Sequence, residues 1–418
     1  MAAAAGAHKM RGMNIPRRDI LGSALAGAAA VLLPGAITAG AQSASQPFPQ
    51  WVAATRTRAL ARGISAKTYD SVMNGLKPDT SVYALQRAQP EFREQTWQYL
   101  NRRVSDWRVM TGKEKAREYA SLLGKIEQQH GVDRFILLAL WGVESAYGDP
   151  IVQQKYMHPI FPALAALAWG EPRRRAYWEK ELFNALTIVD RGWSTPAEMR
   201  GSWAGAMGHT QWMPEVWLNV GIDFDGDGRV SPFGSPADAL ASTARYLVRR
   251  GRYRADERWG YEVRGAPASG RSHTLAEWQS MGARRANGEA LPTPQAAMRP
   301  WTPVPGGPTF LIGQNFQAVH SYNPSMNYTL AICHLSDRIR GEGPFVRPFP
   351  GSERTPTLAE LKELQKRLTD AGFDTGGLDG RVGADTMKAV RAYQKKVGIE
   401  PADGYAGLKV LARLRAGG

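Results

Sequence analysis

Apolar residues recur at helical spacing through most of the chain. Residues 51–61, 64–73 and 92–107 each place apolar side chains three and four positions apart, which predicts amphipathic helices. Strand signals are scarce up to about residue 300, so the pattern predicts a mainly α protein. Residues 282–308 are rich in Gly, Pro and Ala and are predicted to form a long surface excursion. Helical periodicity returns over residues 310–340.

One predicted helix carries a carboxylate on an apolar face. Residues 135–141 are seven consecutive apolar positions, which predicts a helix buried on nearly all sides. Glu144 follows Trp141 by three positions and Leu140 by four, so it shares their face near the helix end. Burying a carboxylate without a partner is costly, and the usual response is a raised pKa. A carboxyl that stays protonated near neutral pH is what a glycosidase needs, whereas an ion pair with an Arg is the structural alternative.

Composition and charge narrow the class of protein. A length of 418 residues, with 43% hydrophobic and 22% charged residues, predicts a globular protein of two to three domains. The formal net charge of +15 favours an anionic partner, which could be nucleic acid, a membrane surface or an acidic wall polymer. The single Cys excludes an intramolecular disulfide and any Cys-based zinc or iron–sulfur site. Seven scattered His without a His-x-x-x-His pair argue against a catalytic zinc ion.

Residues 1–41 are predicted to be an export signal. A basic segment is followed by an Ala/Gly/Leu run, 20–33, that is too short to span a bilayer, and then by an Ala-Gly-Ala cleavage site at 39–41. Arg17 and Arg18 look like a twin-arginine signal, and no Cys lies near the cleavage site to accept a lipid. An uncleaved anchor is the alternative. Cleavage removes four basic residues and one acidic residue, leaves a charge of +12, and predicts a periplasmic protein.

The end of the chain is predicted to be a separate small module. Residues 341–356 hold five Pro or Gly in their first ten positions, which predicts a linker at 344–356. Thr357 and Glu360 form a capping box for a helix with Leu358, Leu361, Leu364 and Leu368 on one face, and a second helix carries Val390, Tyr393 and Val397. An Asp-Gly turn at 379–383 is echoed at 403–407. All 13 Trp lie before residue 302, so the module offers no indole for sugar stacking.

Three motifs resemble the membrane-bound lytic murein transglycosylase B family. They are Trp-Gly-Val-Glu-Ser-x-Tyr-Gly at 141–148, Gly-Ser-Trp-Ala-Gly-Ala-Met-Gly-x-x-Gln-Trp-Met-Pro at 201–214, and Tyr-Asn-x-Ser-x-x-Tyr-x-x-Ala-Ile at 322–332. They occur in family order over roughly residues 51–340. Residues 358–414 are similar to the small three-helix peptidoglycan-binding module of wall enzymes, with an unrelated three-helix bundle as the alternative.

The resemblance implies an architecture and a reaction. It implies a lysozyme-like helical catalytic domain at 42–343, the linker at 344–356 and a peptidoglycan-binding module at 357–418. It implies cleavage of the MurNAc–GlcNAc bond, with Glu144 as the only catalytic carboxylate. Glu144 would protonate the glycosidic oxygen and then accept a proton from the C6 hydroxyl of the muramyl residue, leaving a 1,6-anhydro end. Two-carboxylate hydrolases, by contrast, consume water.

The same resemblance implies a set of substrate-binding residues. They are Ser202, Gln211, Tyr246, Tyr322, Asn323, Tyr328, Arg173 and Arg174. Blander interpretations stay open: Gly205 and Gly208 could simply permit a tight turn, the Tyr residues could be core aromatics, and the Arg residues a solvated face. One departure from the family pattern is His209-Thr210 in place of the commoner Tyr-Gly, which affects the expected shape of the sugar subsite.

Half of a calcium loop is present after residue 222. Asp223, Asp225 and Asp227 occupy positions 1, 3 and 5 of an EF-hand-like loop, but Gly234 stands where the bidentate Glu belongs. The next carboxylate, Asp238, could close a longer loop as the family's does. A metal-free Asp/Gly turn is the alternative. Bound calcium would be structural, and no cofactor is expected to be required for catalysis.

The expected partner is therefore a peptidoglycan glycan strand. Other wall-synthesis or division proteins stay open as partners, nucleic acid is not expected because of export and the lack of a recognition motif, and a monomer is expected. Two other functions remain open: a hydrolytic muramidase that uses water, and a non-catalytic peptidoglycan-binding scaffold.

Overall fold

The fold is described from a computed structural model, which covers residues 46–87, 94–149, 157–292 and 296–417. The predicted export signal at 1–41 lies outside the described residues. Within the described ranges, no helix combines the length and apolar character needed to cross a membrane.

Helices make up most of the described residues before residue 341. Helices α1 to α14 span Phe48–Ala61, Ala66–Met73, Val82–Arg87, Thr96–Arg103, Asp106–Glu118, Ala120–His130, Arg134–Ser145, Ile160–Gly170, Arg175–Asp190, Pro214–Val220, Pro236–Arg249, Leu275–Ser280, Gln314–Tyr322 and Met326–Arg340. A short 3₁₀ turn, Pro172–Arg174, precedes α9. The mainly α prediction is confirmed.

The helix predicted over 92–107 is interrupted in the structure. Residues 92 and 93 lie outside the described ranges, and the remainder divides into α4 and α5. The break is at Ser105, which adopts an extended backbone conformation and whose hydroxyl accepts a hydrogen bond from the Arg108 amide. A serine that caps a new helix must leave helical geometry itself, so the apolar spacing continues across a real boundary. Ser65 similarly starts α2 two residues later than the spacing predicts.

Helix α7 lies at the centre of the large hydrophobic core. Residues 136–143 are all buried, as the apolar run predicted. Asp133 caps the start of the helix by accepting a hydrogen bond from the Phe135 amide at 2.9 Å. Helix α14 packs beside α7 and contributes Cys333, which is fully buried as a packed thiol.

A five-stranded sheet corrects the prediction for residues 282–308. Strands β3 to β7 are Gly260–Arg264, His273–Thr274, Arg284–Arg285, Ala297–Trp301 and Thr309–Ile312, and they pair antiparallel in the order β4-β6-β7-β3-β5. The predicted surface excursion therefore contains two strands, and Met298 within it is buried. Short strands that include Arg299 and Pro300 interrupt the apolar/polar alternation, which is why the period of two was not visible. A two-stranded ribbon pairs β1, His158–Pro159, with β2, Arg200–Gly201.

The predicted helical region 310–340 also begins on a strand. Residues 310–312 belong to β7, and the chain turns at Gly313 into α13 and then α14. This strand is too short for its own periodicity to differ from that of the helix that follows.

The C-terminal module has its own hydrophobic core. Helices α15 to α17 span Leu358–Asp370, Ala384–Val397 and Leu408–Arg415. The predicted capping box of Thr357 and Glu360 is present. The two Asp-Gly turns are bound in the same way: the amide oxygen of Gln365 accepts from the Gly380 N–H, and that of Gln394 from the Gly404 N–H, both at 2.7 Å. The sequence repeat is thus a structural repeat in which a helix side chain anchors the turn.

The segment between α14 and α15 contacts both the helical region before it and the C-terminal module. The amides of Val346 and Arg347 donate to the Glu262 carboxylate, each at 2.8 Å, and Phe349 is buried. Arg381, in the first repeated turn, pairs with Asp149 at 2.6 Å, only five positions after Glu144. The C-terminal module therefore packs against the helical region that contains α7.

Candidate active site

Glu144 lies in the last turn of α7, at the edge of the core. Its neighbours Val143 and Ser145 are buried, whereas Glu144 is only half-buried. The helix ends immediately afterwards because Ala146 and Tyr147 both adopt positive φ angles, 53° and 62°. A sharp, left-handed exit of this kind leaves a carboxylate accessible at the end of an otherwise buried helix.

Tyr328 is a hydrogen-bond donor to this carboxylate. Its hydroxyl donates to Oε1 of Glu144, and the side chain is 3% exposed. Tyr328 is placed by the first turn of α14, whose N-terminus is capped by the Ser325 hydroxyl. Burial, together with the negative charge of Glu144, raises the pKa of Tyr328 well above its ordinary value. The phenol therefore stays protonated and remains a donor to Glu144.

Two further tyrosines, Tyr322 and Tyr246, pack against each other in the same region. The Tyr322 hydroxyl donates to the Thr210 carbonyl at 2.5 Å, and the Tyr246 hydroxyl donates to the Ser321 carbonyl at 3.0 Å. Their rings meet edge to face at 5.1 Å. Burial, followed by the charge of Glu144, raises the pKa of Tyr322, which places it within the field of the carboxylate.

The loop at 201–213 carries Ser202 and Gln211 and folds as a tight, internally bonded turn. Bridges join Gly201 to Met207 and Met207 to Trp212. The Ser202 hydroxyl accepts from the Ala206 amide at 3.2 Å, and the Gln211 side chain donates to the Gly208 carbonyl at 3.0 Å.

A glycine is required at position 208 of this loop. Gly208 has φ +73°, and a Cβ there would lie 2.1 Å from the Pro232 carbonyl oxygen. The tight-turn interpretation of Gly208 is therefore correct, and the turn also determines where Gln211 lies.

Asn323 lies between α13 and α14 and is 2% exposed. Its side-chain oxygen accepts from the Ser325 amide at 3.2 Å. Since Ser325 in turn caps the helix that presents Tyr328, Asn323 supports the junction next to Glu144.

Comparison with known proteins identifies the family. The transglycosylase SLT domain family matches residues 47–337, and the putative peptidoglycan binding domain family matches residues 357–414. The chain belongs to the transglycosylase SLT family. The resemblance inferred from the three motifs and from the Asp-Gly repeat is thereby confirmed.

Solved and curated relatives agree with this assignment. SltB3 from Pseudomonas aeruginosa, crystallised with NAG-NAM-pentapeptide, is 39% identical, covers 90% of this chain and 100% of its own, and superposes with a TM-score of 0.67. The membrane-bound lytic murein transglycosylase B of Escherichia coli (strain K12) is 28% identical over 283 residues, 66% of this chain and 75% of that protein. The Escherichia coli lytic transglycosylase Slt35 in complex with calcium is 24% identical over 71% of this chain and 93% of its own, with a TM-score of 0.58, and so is similar in fold.

Arg173 and Arg174 lie in the 3₁₀ turn that leads into α9. Arg173 is exposed, while the Arg174 guanidinium lies over the rings of Tyr177 at 4.3 Å and Trp178 at 4.9 Å. Their described contacts are local to this turn. The structure thus brings Glu144 and Tyr328 together directly.

The acidic loop brings three of its four predicted ligands together. Carboxylate oxygens of Asp223, Asp225 and Asp227 lie within 4.8 Å of one another, and all three residues are exposed. Asp238 is instead buried at the start of α11, where its two oxygens accept from the amides of Phe224 at 2.7 Å and Ser231 at 2.9 Å. Burial raises the pKa of Asp238. In the described structure Asp238 therefore stabilises the acidic loop by accepting hydrogen bonds from its main-chain amides.

The sequence did not predict the contacts that join the loop at 201–213 to α7. Ser145 donates its hydroxyl hydrogen to the His209 carbonyl at 2.6 Å, and the Trp141 indole donates to the His209 ring at 3.0 Å. The signal was present as the departure His209-Thr210 from the family pattern, but a sequence does not show which side chains meet.

Proposed function

We propose that this transglycosylase cleaves the MurNAc–GlcNAc β-1,4 bond of peptidoglycan and leaves 1,6-anhydro-MurNAc ends. The observation that carries the proposal is Glu144, half-buried at the end of α7 and held by the buried Tyr328 hydroxyl. A lyase acting on peptidoglycan is the activity of the family to which the chain belongs. The P. aeruginosa relative was crystallised with NAG-anhNAM-pentapeptide, a fragment that already has the anhydro form.

Glu144 would act first as acid and then as base. Its carboxyl proton passes to the glycosidic oxygen as the bond from that oxygen to C1 of the muramyl residue breaks. The resulting carboxylate accepts the proton of the C6 hydroxyl, whose oxygen forms the new bond to C1. One proton is given and one is received, so Glu144 is restored and no water is consumed. The Tyr328 hydroxyl stabilises the anionic state between the two transfers and fixes the carboxyl rotamer.

The remaining candidate residues are proposed to bind the sugars. The loop of Ser202 and Gln211 and the junction at Asn323 supply amide and hydroxyl groups suited to N-acetyl groups. Tyr246 and Tyr322 would form an aromatic wall of the groove. For Arg173 and Arg174 we propose a role in meeting carboxylates of the peptide stem, which their cationic surface position supports.

A structural calcium ion is proposed for the acidic loop. Three converging carboxylates suit a hard divalent cation, and calcium prefers such oxygen ligands. Asp223, Asp225 and Asp227 would hold it, and calcium bound in the Slt35 relative supports the idea. Asp238 is kept as the fourth proposed ligand, although its described bonds are to loop amides. The ion takes no part in the proposed reaction, which needs no cofactor.

We further propose that the protein is exported to the periplasm and works as a monomer on glycan strands. We propose the division into signal 1–41, catalytic domain 42–343, linker 344–356 and peptidoglycan-binding module 357–418. The two family matches, at 47–337 and 357–414, support the catalytic domain and the module. The net charge of +12 after cleavage of the signal favours an anionic wall polymer.

Digestion of purified sacculi tests the proposal. The protein is incubated with sacculi, and the released muropeptides are separated and weighed by mass spectrometry. Muramyl ends one water lighter than those of a hydrolytic digest are expected. Reducing muramyl ends would show a hydrolytic muramidase, and release of nothing despite binding would show a non-catalytic scaffold.

A further inference from the structure

His209 occupies a buried position between the transglycosylase loop and the end of α7. It follows Gly208 in the turn at 201–213, and its main-chain N–H donates to the Pro232 carbonyl at 2.9 Å. The side chain is 8% exposed. None of the sugar-binding assignments above uses this residue.

Both ring nitrogens of His209 have defined partners. Nδ1 accepts from the indole N–H of Trp141 at 3.0 Å, and Nε2 contacts the Gly234 carbonyl at 2.8 Å. An indole nitrogen only donates and a carbonyl only accepts, so the imidazole is neutral and carries its proton on Nε2. Burial lowers the pKa of His209, which agrees with the neutral form.

The main chain of His209 holds the same helix a second time. Its carbonyl accepts from the Ser145 hydroxyl at 2.6 Å, and that hydroxyl also accepts from the Gly148 amide at 3.0 Å. A Cβ on Gly148 would lie 2.5 Å from Nδ1 of His209, so the exit of α7 packs directly on the imidazole.

These contacts are made by residues on both sides of Glu144 in the sequence of α7. Trp141 lies one helical turn before Glu144, and Ser145 directly follows it. The exit itself runs through two non-glycine residues with positive φ, Ala146 and Tyr147, a conformation that surrounding contacts must maintain. We propose that His209 is a positioning residue, which fixes the last turn of α7, and therefore the Glu144 carboxyl, against the loop that carries Ser202 and Gln211. This inference rests on the proposed function.

Two substitutions separate the two ring contacts. In His209→Asn the side-chain oxygen occupies the place of Nδ1 and can accept from Trp141, while the contact with Gly234 is lost. In His209→Gln the amide nitrogen occupies the place of Nε2 and can donate to Gly234, while the acceptor for Trp141 is lost. The positioning role depends on the contact with α7, so the two variants are expected to differ.

The measurement is kcat and KM on soluble peptidoglycan fragments, together with thermal unfolding. His209→Gln is expected to lower kcat by about 10- to 100-fold with KM nearly unchanged, because a small displacement of a reacting group has an effect of this size. His209→Asn is expected to stay within a few-fold of the unsubstituted protein. His334→Asn is the matched control, since His334 is also buried but stacks on Phe345 at 3.7 Å.

Three results would overturn the proposal. Equal loss of kcat in both His209 variants, following their loss of Tm as in the His334 control, would show a merely structural role. Nitrogen-15 NMR of labelled histidines in the unsubstituted protein would also overturn it by showing the His209 proton on Nδ1. An unsubstituted protein that forms no product would overturn the proposed function and this inference with it, whereas the first two results in an active protein overturn the inference alone.

Discussion

Two glutamates of the transglycosylase domain, Glu144 and Glu181, illustrate two uses of a buried carboxyl. Glu181 lies within α9, is 3% exposed, and accepts from the Glu215 amide at 3.0 Å, where α10 begins. Burial raises the pKa of Glu181 to about 7. Glu144 lies at the end of α7, is only half-buried, and accepts from a side-chain hydroxyl.

The difference shows that burial on an apolar helix does not by itself identify a catalytic acid. Glu181 is more deeply buried than Glu144, yet its partner is a main-chain amide that needs satisfying at a helix start. Glu144 combines a fixed donor, Tyr328, with access to the surface beside the loop of Ser202 and Gln211. Partner and access therefore distinguish the proposed catalytic carboxyl, Glu144, from Glu181.

The largest effect is expected from exchanging each carboxyl for an amide. Glu144→Gln removes both the proton donor and the proton acceptor of the proposed reaction, so product formation from sacculi should fall by about 10³-fold or more. Glu181→Gln is the matched control and should retain activity. Equal activity of the two variants would contradict the assignment.

Removing the donor to Glu144 is expected to have the next largest effect. Tyr328→Phe keeps the buried ring but deletes the hydroxyl, and a hydrogen bond to a charged group contributes about 1.5–3 kcal/mol. We therefore expect kcat on soluble fragments to fall by about 10- to 100-fold. Tyr246→Phe, which loses a hydroxyl that donates to the Ser321 carbonyl, serves as comparison. A Tyr328→Phe protein with unchanged kcat would remove Tyr328 from the mechanism.

Glu181 should instead influence stability as pH changes. Its folded pKa, about 7, lies above the ordinary value of 4.5, so the folded state binds the proton more tightly. This contribution is fully present below the ordinary value and is lost as pH rises towards 7. Glu181→Gln cannot ionise, so at about pH 8 it should unfold with a free energy higher by roughly 1–3 kcal/mol, and with little difference at about pH 4.

Urea unfolding at both pH values measures this difference. Glu144→Gln is measured in parallel to separate the effect of Glu181 from that of any Glu-to-Gln change. A Glu181→Gln protein that is equally destabilised at both pH values would show that the carboxylate, once ionised, is well accommodated by the Glu215 amide.

Exposed carboxylates complete the comparison, and their effect should be the smallest. Calcium at about three times its Kd is expected to raise the Tm of the protein slightly, because a ligand at that concentration adds roughly 0.8 kcal/mol to folding. Asp225→Asn should abolish most of this shift, and Glu289→Gln, an exposed carboxylate in another loop, should not. A Tm that is the same with and without calcium would favour a metal-free Asp/Gly turn.

The sequence predicted the parts of the fold that local signals determine. The apolar run of α7, the capping box at Thr357 and the repeated Asp-Gly turns all involve residues close together in the chain. The break at Ser105 and the strand 297–301 were missed, since a serine cap leaves the apolar spacing intact and Pro300 interrupts the alternation of a short strand.

The candidate site was predictable in its residue types and unpredictable in its connections. The three motifs named Glu144, Tyr328 and Gln211, but not that Tyr328 donates to Glu144 itself. The contact between Trp141 and His209 joins residues 68 positions apart. Such a contact depends on tertiary packing, which periodicity and spacing do not encode.

Digestion of sacculi in water enriched in oxygen-18 tests the central claim most directly. If the C6 hydroxyl attacks C1 of its own muramyl residue, the new ends are 1,6-anhydro and contain no oxygen from solvent. The account predicts unlabelled anhydro ends from the unsubstituted protein and their disappearance in Glu144→Gln. Reducing muramyl ends labelled with oxygen-18 would contradict it, because they would show that water is the nucleophile.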